Sequence, residues 1–291
     1  MITGGGGFLG QYLNVELSKR YDTLTLFRNS PGNCVDYKNQ KINIIDFDSL
    51  EKLLIEYRPN VVVHTAAVSS SAEAEKLSSK EVFLINVSAT KKIAELCKAN
   101  NCRMIYTSTD LVYAGYRGSY LDEKSKLIPA SLYAETKLVG EQKIRNTFDN
   151  FLILRTALLF GFGLAKRKSH FQIISEELRK EKEVKLFEDQ FRSPLFVKDA
   201  ARMIGDLIEK NISGEVLNFG GTERLSRFQL GEILCEEAGF NKSLLKKISM
   251  DEINNFTKVE DVSLNVERLL SKGLKPIEVR EAVRRIFVGD V

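Results

Sequence analysis

Residues Thr3–Gly10 read TGGGGFLG, and this stretch decides the fold. Gly4, Gly7 and Gly10 lie three residues apart, directly before a segment, Phe8–Arg20, that has the apolar spacing of an amphipathic helix. Glycines at this spacing permit a tight strand-to-helix turn, and they let backbone N–H groups approach a pyrophosphate at the helix N-terminus. The alternative is a flexible N-terminal loop, which the βαβ pattern that follows disfavours.

The first strand of this unit is short. Only Met1, Ile2 and Thr3 precede Gly4, whereas strands usually have about 5–6 residues. We therefore expect that the numbering begins inside the first strand and that further residues lie upstream.

Short aliphatic runs alternate with helical segments through the first half of the chain, which is the pattern of a parallel sheet with helices on both faces. The expected strands are Thr23–Phe27, Ile42–Ile45, Val61–Val63, Arg103–Thr107 and Phe151–Leu154. The expected helices are Phe8–Arg20, Ser49–Tyr57, Glu81–Ala99 and Ala134–Thr147. The sequence therefore predicts an α/β fold: a Rossmann-type doubly wound parallel sheet with a smaller mixed α/β substrate-binding lobe.

Composition and charge exclude several classes of protein. Lys and Arg number 43 and Asp and Glu 39, a net charge of +4, and no run of five like charges occurs, so we expect neither a nucleic-acid nor a membrane partner. The apolar runs are far shorter than the roughly 18–20 residues of a membrane span. The four cysteines lack CxxC spacing and only two histidines occur, so no metal site is predicted. Because no signal-peptide pattern is present, a cytoplasmic location is expected.

The end of the second strand indicates which ribose a dinucleotide cofactor would carry. An acid there would hydrogen-bond a free 2′-hydroxyl, whereas an Arg would accept a 2′-phosphate. The segment LTLFRNS offers Arg28, Asn29 and Ser30 and no acid, which favours NADP(H) and leaves NAD(H) as the alternative. Arg28 would otherwise stack on the adenine or stay solvated. Asp46, followed by Phe47, is placed to accept a hydrogen bond from the adenine amino group or to cap the next helix.

The alternation of strands and helices loosens beyond about Gly161, which suggests two regions. Residues 1–155 are expected to form the NAD(P)-binding Rossmann domain. Residues 156–291 are expected to form mainly the substrate-binding lobe, with residues 197–209 packing back on the Rossmann sheet.

A candidate catalytic group lies in the segments STDLVYAG and YAETKLVGE. Tyr133 and Lys137 are four residues apart, hence on one face of a helix. An ammonium beside a phenol favours the phenolate, so Lys137 is expected to make Tyr133 an acid/base near neutral pH. Thr109 follows a predicted strand at its carboxyl end, where open α/β sheets bind ligands, and its hydroxyl can hydrogen-bond a substrate carbonyl. The alternative, a surface helix pair, is disfavoured by the glycine turn and the strand order.

These segments resemble the extended short-chain dehydrogenase/reductases, and within them the dTDP-4-dehydrorhamnose reductase group. The likeness extends through RPNVVVHTAA, FLINVSATKKIAELC, LRTALLFG and DQFRSPLFVKDAA to VLNFGGTERLS. The resemblance implies Thr109, Tyr133 and Lys137 as the catalytic triad, with Asn86 supporting the active-site helix. It implies cofactor contacts from Gly4, Gly7, Phe8, Leu9, Gly10, Arg28, Asn29, Ser30, Asp46, Phe47, Ala66, Ala67, Asn86, Tyr133 and Lys137. Asp110, Val112 and Arg192 are the expected substrate contacts.

The sequence departs from this group at informative positions. The related dehydratases carry Asp-Glu after the catalytic Thr, because eliminating water needs an extra acid/base pair; here Leu111 follows Asp110, which disfavours a dehydratase. Arg192 lies in a segment where the reductases commonly have Gly. It would bind an anionic substrate group such as a diphosphate, or it would be solvated or structurally paired. Of the histidines, His64 is expected to pack beneath the cofactor, and His170 to lie in the loop that enters the lobe.

The resemblance implies an NADP(H)-dependent reductase of a 4-keto-6-deoxy nucleotide sugar or a similar polar ketone. One alternative is a nucleotide-sugar epimerase, which has the same triad but keeps its NAD bound. The other is a non-catalytic NADP-binding regulatory subunit like the beta subunit of methionine adenosyltransferase. The resemblance also suggests a homodimer formed through Glu81–Ala99 and Ala134–Thr147.

Overall fold

A parallel sheet of seven strands organises the chain, which a computed structural model describes over residues 1–165, 167–253 and 257–289. The strands of this sheet and of three smaller sheets are, in chain order, β1 Ile2–Thr3, β2 Thr25–Phe27, β3 Asn39–Lys41, β4 Val61–His64, β5 Arg103–Thr109, β6 Phe151–Thr156, β7 Leu159–Phe160, β8 Val184–Phe187, β9 Phe191–Arg192, β10 Leu195–Phe196, β11 Glu215–Phe219, β12 Leu225–Ser226 and β13 Leu245–Ile248. The sheet order is β11-β6-β5-β4-β1-β2-β3, and every pair is parallel. The strand order reverses between β1 and β4, and at such a switch point open sheets bind ligands.

Helices cover both faces of the sheet. They are α1 Phe8–Leu17, α2 Phe47–Tyr57, α3 Ser71–Ala74, α4 Ser79–Phe83, α5 Ala89–Ala99, α6 Leu132–Arg145, α7 His170–Arg179, α8 Val197–Glu209, α9 Arg227–Ala238, α10 Glu267–Ser271 and α11 Val279–Val288. Successive strand residues point to opposite faces: Val62 packs with buried residues of α2 and α5, whereas Val63 packs with those of α1 and α8. The predicted doubly wound α/β fold is confirmed.

The third strand corrects the sequence-based expectation. The strand was expected at Ile42–Ile45, but it lies at residues 39–41, whose polar side chains are exposed. β3 is the edge of the sheet and pairs through its backbone with β2 alone, so it needs no apolar side chains. Ile42 and Ile44 are buried just beyond the end of the strand, which explains why the aliphatic run misplaced it.

The predicted helix Glu81–Ala99 is interrupted. α4 ends at Phe83, a π-helical turn spans Leu84–Ser88, and α5 continues from Ala89. Such turns frequently occur at functional sites, and this one contains the buried Asn86.

The second half of the chain contributes to both the sheet and a smaller lobe. β11 lies beside β6, and α8 packs against α1, where Arg20 and Asp206 form an ion pair of 2.8 Å. The lobe contains three two-stranded sheets, β10-β7, β12-β9 and β13-β8, together with α7, α9 and α11. Across residues 1–165, 167–253 and 257–289, no helix combines the length and apolar character needed to cross a membrane.

Candidate active site

A cleft of about 1350 Å³ opens at the carboxyl ends of β1, β4, β5 and β6. It brings together most of the site residues predicted from the sequence: Gly4, Gly7, Phe8, Leu9, Gly10, Arg28, Asn29, Ser30, Ala66, Ala67, Thr109, Asp110, Tyr133, Lys137 and Arg192. Four predicted residues do not line it: Asp46, Phe47, Asn86 and Val112. The cleft is large enough for a dinucleotide beside a second ligand, since ligand pockets usually have about 300–1,000 Å³.

The glycine turn forms a backbone cradle at one side of this cleft. Gly4 has a φ of +74°, which favours glycine, and the N–H of Gly7 donates to its carbonyl oxygen at 2.9 Å. A Cβ on Gly6 would lie 2.0 Å from the Ser30 carbonyl oxygen, and one on Gly10 would lie 2.2 Å from the Gly4 carbonyl oxygen. No side chain caps the N-terminus of α1, so its first N–H groups can bind a phosphate. The cradle fits the diphosphate of a dinucleotide cofactor.

The segment after β2 is exposed at the same side. Arg28, Asn29 and Ser30 line the cleft, and Arg28 and Asn29 also line an adjoining hollow of about 540 Å³. Within the described part of the chain, no hydrogen bond or ion pair holds the Arg28 guanidinium, so it can donate hydrogen bonds to a ligand phosphate. Asp46 lines the hollow, and its two carboxylate oxygens accept from Ser49, at 3.2 Å from the backbone N–H and 2.7 Å from the hydroxyl.

The predicted role of Asp46 as the cap of the next helix is therefore confirmed, and the hydrogen bonds from Ser49 lower the pKa of the Asp46 carboxyl. Phe47, the first residue of α2, is half-buried and lines neither the cleft nor the hollow.

Tyr133 lies in the first turn of α6, beside Thr109 at the end of β5. Burial raises the pKa of the Tyr133 phenol to about 12, and a hydrogen bond with Thr109 partly opposes this change. The expected lowering of that pKa is wrong for this structure, because burial is the largest influence on it and raises it. Tyr133 therefore keeps its proton at neutral pH, which is the protonation state that a proton donor needs.

Lys137 lies one turn further along α6 and is 2% exposed. Its Nζ atom is 4.0 Å from the centroid of the Tyr106 ring, within the range of a cation–π contact. Burial lowers the pKa of Lys137 to about 7, and the charge of Glu141 opposes that change. Glu141 is thus an electrostatic partner of Lys137 on the same helix.

Asn86 supports this helix from behind. Its Oδ1 atom accepts from the N–H of Val68 at 2.8 Å, and its Nδ2 donates to the Val68 carbonyl at 3.2 Å and to the Thr136 hydroxyl at 3.1 Å. Thr136 lies between Tyr133 and Lys137 in α6. Asn86 therefore links the π-helical turn, the loop after β4 and the helix with the acid/base residues, although it does not line the cleft.

A buried ion pair, not predicted from the sequence, joins α6 to β6. Arg155 contacts the Glu141 carboxylate at 2.9–3.3 Å, and both side chains are at most 2% exposed. Arg155 also donates to the Tyr113 hydroxyl at 3.0 Å, and that hydroxyl donates to Asn218 of β11 at 2.6 Å. The sequence signal was an Arg within the apolar run FLILRT, because a buried charge needs a partner.

Three charged side chains meet at the other end of the cleft. Arg192 lies 3.3 Å from Asp110, and both are buried. Burial raises the pKa of Asp110, although Arg192 and Arg227 oppose this change. Arg192 is therefore paired with Asp110, and it also lines the cleft. Arg227, not identified from the sequence, lines the same end.

Val112 and the two histidines lie outside the cleft. Val112 is fully buried in the hydrophobic core, so its expected substrate contact is corrected: the turn Asp110–Val112 packs this side chain inward. His64 bonds Thr3 at 2.7 Å and Thr90 at 3.1 Å, and burial lowers its pKa to about 3. The predicted packing of His64 is confirmed, and its position beneath a cofactor stays a prediction. His170 was expected in the loop that enters the lobe; it is instead the exposed first residue of α7, which Ser169 caps.

Comparison with known proteins gives several similar chains. A dTDP-4-dehydrorhamnose reductase of Aggregatibacter actinomycetemcomitans is 28% identical over 224 residues, 76% of this chain and 70% of that protein. The methionine adenosyltransferase 2 subunit beta of Mus musculus is 24% identical over 282 residues, 94% of this chain and 82% of that protein. The crystal structure of dTDP-4-dehydrorhamnose reductase from Bacillus anthracis str. Ames in complex with NADP has a TM-score of 0.82 at 23% identity, covering 100% of this chain and 98% of that one.

The family model described as the RmlD substrate binding domain matches residues 1–289. This match covers the glycine turn, the acid/base residues of α6 and the charged residues of the lobe in one continuous alignment. The chain belongs to the family of the RmlD substrate binding domain.

Proposed function

We propose that this chain is an NADP(H)-dependent reductase of a keto group, and that its substrate is a 4-keto-6-deoxy nucleotide sugar. The observation that carries the proposal is the meeting of Thr109, Tyr133 and Lys137 with the glycine turn in one cleft. The relatives named dTDP-4-dehydrorhamnose reductase support the same substrate class. An exposed Arg28 and no acid at the end of β2 favour NADP(H), with NAD(H) as the alternative.

The two regions of the chain would bind different ligands. Residues 1–155 would bind the cofactor through the glycine turn and the loops after β2 and β4. Residues 156–291 would mainly bind the substrate, with Arg192 contributed by the lobe and Asp110 by the sheet. The segments Glu81–Ala99 and Ala134–Thr147, which contain α5 and parts of α4 and α6, would form a homodimer, and the exposed Phe83 offers apolar surface for it. Mass measurement in solution tests this arrangement, because a purely monomeric species contradicts it.

The protein's own residues would handle the proton and the orientation of the ketone. NADPH, when bound, supplies the hydride to the carbonyl carbon. Thr109 would hydrogen-bond the carbonyl oxygen, and Tyr133 would donate its proton to that oxygen as the alcohol forms. Lys137 would hold the ribose hydroxyls and offset the negative charge that develops on Tyr133. Asn86 would hold α6 in place against the loop after β4.

The test is NADPH oxidation against a panel of 4-keto nucleotide sugars, with the parent chain and Tyr133→Phe. Loss of the proton donor is expected to lower turnover by about 10²–10⁴-fold, while NADPH binding persists. Tyr116→Phe is the matched control, because that tyrosine is 61% exposed and does not line the cleft. Near-parental turnover of Tyr133→Phe would refute the assignment.

A regulatory subunit is the second candidate, because the chain covers 82% of the methionine adenosyltransferase 2 subunit beta of Mus musculus. Such a protein would bind NADPH, reduce no ketone and form a complex with a larger catalytic chain. An epimerase would instead hold its nicotinamide cofactor through purification and consume no added NADPH. The cofactor content of the purified protein, measured together with NADPH oxidation, separates the three functions.

A further inference from the structure

The ammonium of Lys137 has an aromatic ring as its direct partner. The Nζ atom lies over the ring of Tyr106, at 4.0 Å from the ring centroid, and the lysine side chain lines the cleft although it is almost fully buried. Over the described residues, no oxygen atom accepts a hydrogen bond from this Nζ atom and no carboxylate forms an ion pair with it. A buried charge normally needs a partner, and the face of the Tyr106 ring attracts a cation.

Tyr106 is itself held firmly between the sheet and α6. It is fully buried on β5, and the ring of His64 on the neighbouring strand β4 stacks against it, with centroids 5.6 Å apart and planes at 29°. The Tyr106 hydroxyl donates to the backbone carbonyl of Lys137 at 3.5 Å. A Cβ on Gly140 would lie 2.7 Å from that hydroxyl oxygen, so α6 has a glycine at the point where the ring reaches it.

His64 fixes the ring of Tyr106 from the side of β4. Its two ring nitrogens bond the hydroxyls of Thr3 and Thr90, at 2.7 Å and 3.1 Å. Burial, followed by the charge of Lys137, lowers the pKa of His64 to about 3. The imidazole is therefore neutral at pH 7 and adds no second positive charge beside the ammonium. An imidazole, a phenol ring and an ammonium are thus in contact in this order, from β4 through β5 to α6.

The other titratable groups around Lys137 do little to stabilise its charge. Each is neutral or paired with another charge: His64 on β4, Tyr106 on β5, Asp110 on the turn after β5, Glu73 on α3, Tyr133 and Glu141 on α6, and Arg155 on β6. Glu141 raises the pKa of Lys137, but its carboxylate is 2.9 Å from the Arg155 guanidinium. The ring of Tyr106 therefore offsets part of the cost of burying the ammonium.

We propose that Tyr106 is a positioning residue whose ring face holds the charged ammonium of Lys137 in the cleft, one helical turn from Tyr133. This role rests on the proposed reductase function, in which Lys137 has to be charged and fixed to offset the charge that develops on Tyr133. Tyr106 does not line the cleft. It therefore acts through Lys137 and touches neither the cofactor nor the substrate.

The test changes the ring at position 106 in steps. Tyr106→Phe keeps the ring face and loses only the hydroxyl. Trifluorophenylalanine at the same position keeps the shape of the ring, so that folding is retained, but its fluorines withdraw electron density from the face. Tyr106→Leu removes the ring. Phe151→Leu is the matched control, because it removes a buried ring from the same hydrophobic cluster without lining the cleft.

Urea unfolding over a range of pH measures the pKa of Lys137 without any need for turnover. The free energy of unfolding rises with pH above the folded-state pKa of Lys137, which is about 7. Subtraction of the curve measured with Lys137→Met in the same background isolates this rise. Loss of the cation–π contact lowers that pKa further, so the rise should begin about one pH unit lower with Tyr106→Leu and with trifluorophenylalanine. With Tyr106→Phe and Phe151→Leu it should begin where it does in the parent.

The onset of this rise separates positioning from packing. A residue that only fills space would change the stability equally at every pH, so an unshifted onset with Tyr106→Leu and with trifluorophenylalanine overturns the assignment. A shift with Tyr106→Phe as large as that with Tyr106→Leu also overturns it. In the reductase, the loss of turnover at alkaline pH should move down by the same interval. A shifted onset in a chain that oxidises no NADPH would leave the contact with Lys137 intact and remove the reductase.

Discussion

Replacing Lys137 with Met is expected to make the folded protein more stable while removing its turnover. Lys137 is 2% exposed, and burial lowers its pKa from the ordinary 10.5 to about 7. In the unfolded chain the ammonium is hydrated, so folding at neutral pH has to dehydrate a charge. Each tenfold change in proton affinity corresponds to about 1.4 kcal/mol, so this cost is on the order of 5 kcal/mol.

The substitution also removes one favourable contact. The ammonium of Lys137 lies 4.0 Å from the Tyr106 ring centroid, and a desolvated cation–π contact contributes about 2 kcal/mol. Met fills a similar volume and buries no charge. The expected net gain in the free energy of unfolding at pH 7 is therefore about 3 kcal/mol.

Urea unfolding of the parent chain and Lys137→Met measures this gain, with the exposed Lys98→Met as the matched helical control. Between pH about 7 and 10.5 the folded parent chain binds fewer protons at Lys137 than the unfolded chain does. Its stability should therefore rise with pH over this range. The cost of dehydrating the Lys137 ammonium is fully present below about pH 7. The free energy of unfolding of Lys137→Met should not show this rise with pH. Equal or lower stability of Lys137→Met at pH 7 would refute the reasoning.

Three further substitutions test the ion pair, the glycine turn and the cofactor preference. Glu141→Gln leaves the buried charge of Arg155 unpaired and should lower the free energy of unfolding by about 3–5 kcal/mol in urea; a change within experimental error would contradict the assigned pair. Gly10→Ala places a Cβ 2.2 Å from a backbone oxygen of the turn and should lower the thermal midpoint and weaken NADPH binding, whereas unaltered binding would contradict the cradle. Arg28→Ala should weaken NADPH binding by about tenfold and leave NADH binding unchanged. Arg58→Ala is the exposed control, and equal losses for both cofactors would count against the 2′-phosphate contact.

The parts of the site that the sequence predicts correctly depend on short spacings. The glycine turn lies within the short segment Thr3–Gly10, so its residues are neighbours in any fold. Tyr133 and Lys137 are one helical turn apart, so helical periodicity alone places them on the same face. Thr109 could be placed because a strand leads directly into it. In each case the relation between residues and geometry is local, and the long-range contribution is only the order of the strands.

The parts that could not be predicted depend on long-range packing. Arg227 is far from Asp110 in the chain, and only the folded lobe brings the two together. The partner of Glu141 lies on another strand, so helix spacing cannot reveal it. The resemblance implied that Val112 contacts the substrate, but the turn Asp110–Val112 buries its side chain in the core. The polar edge strand β3 carries no apolar signal at all.

The pairing of β11 with β6 limits how the chain can be divided. Glu215–Phe219 pairs along residues 152–156, and Asn218 donates to the carbonyls of Leu121 at 2.7 Å and Asn265 at 2.9 Å. A fragment that stops at residue 155 would lack β11, so β6 would become an exposed edge strand with apolar side chains. Such an edge favours aggregation. Excision of either half as an independent unit is therefore unfavourable, and grafting a foreign lobe onto this sheet would have to retain β11. Variation of specificity is consequently easier in the loops around the cleft than by exchange of whole regions.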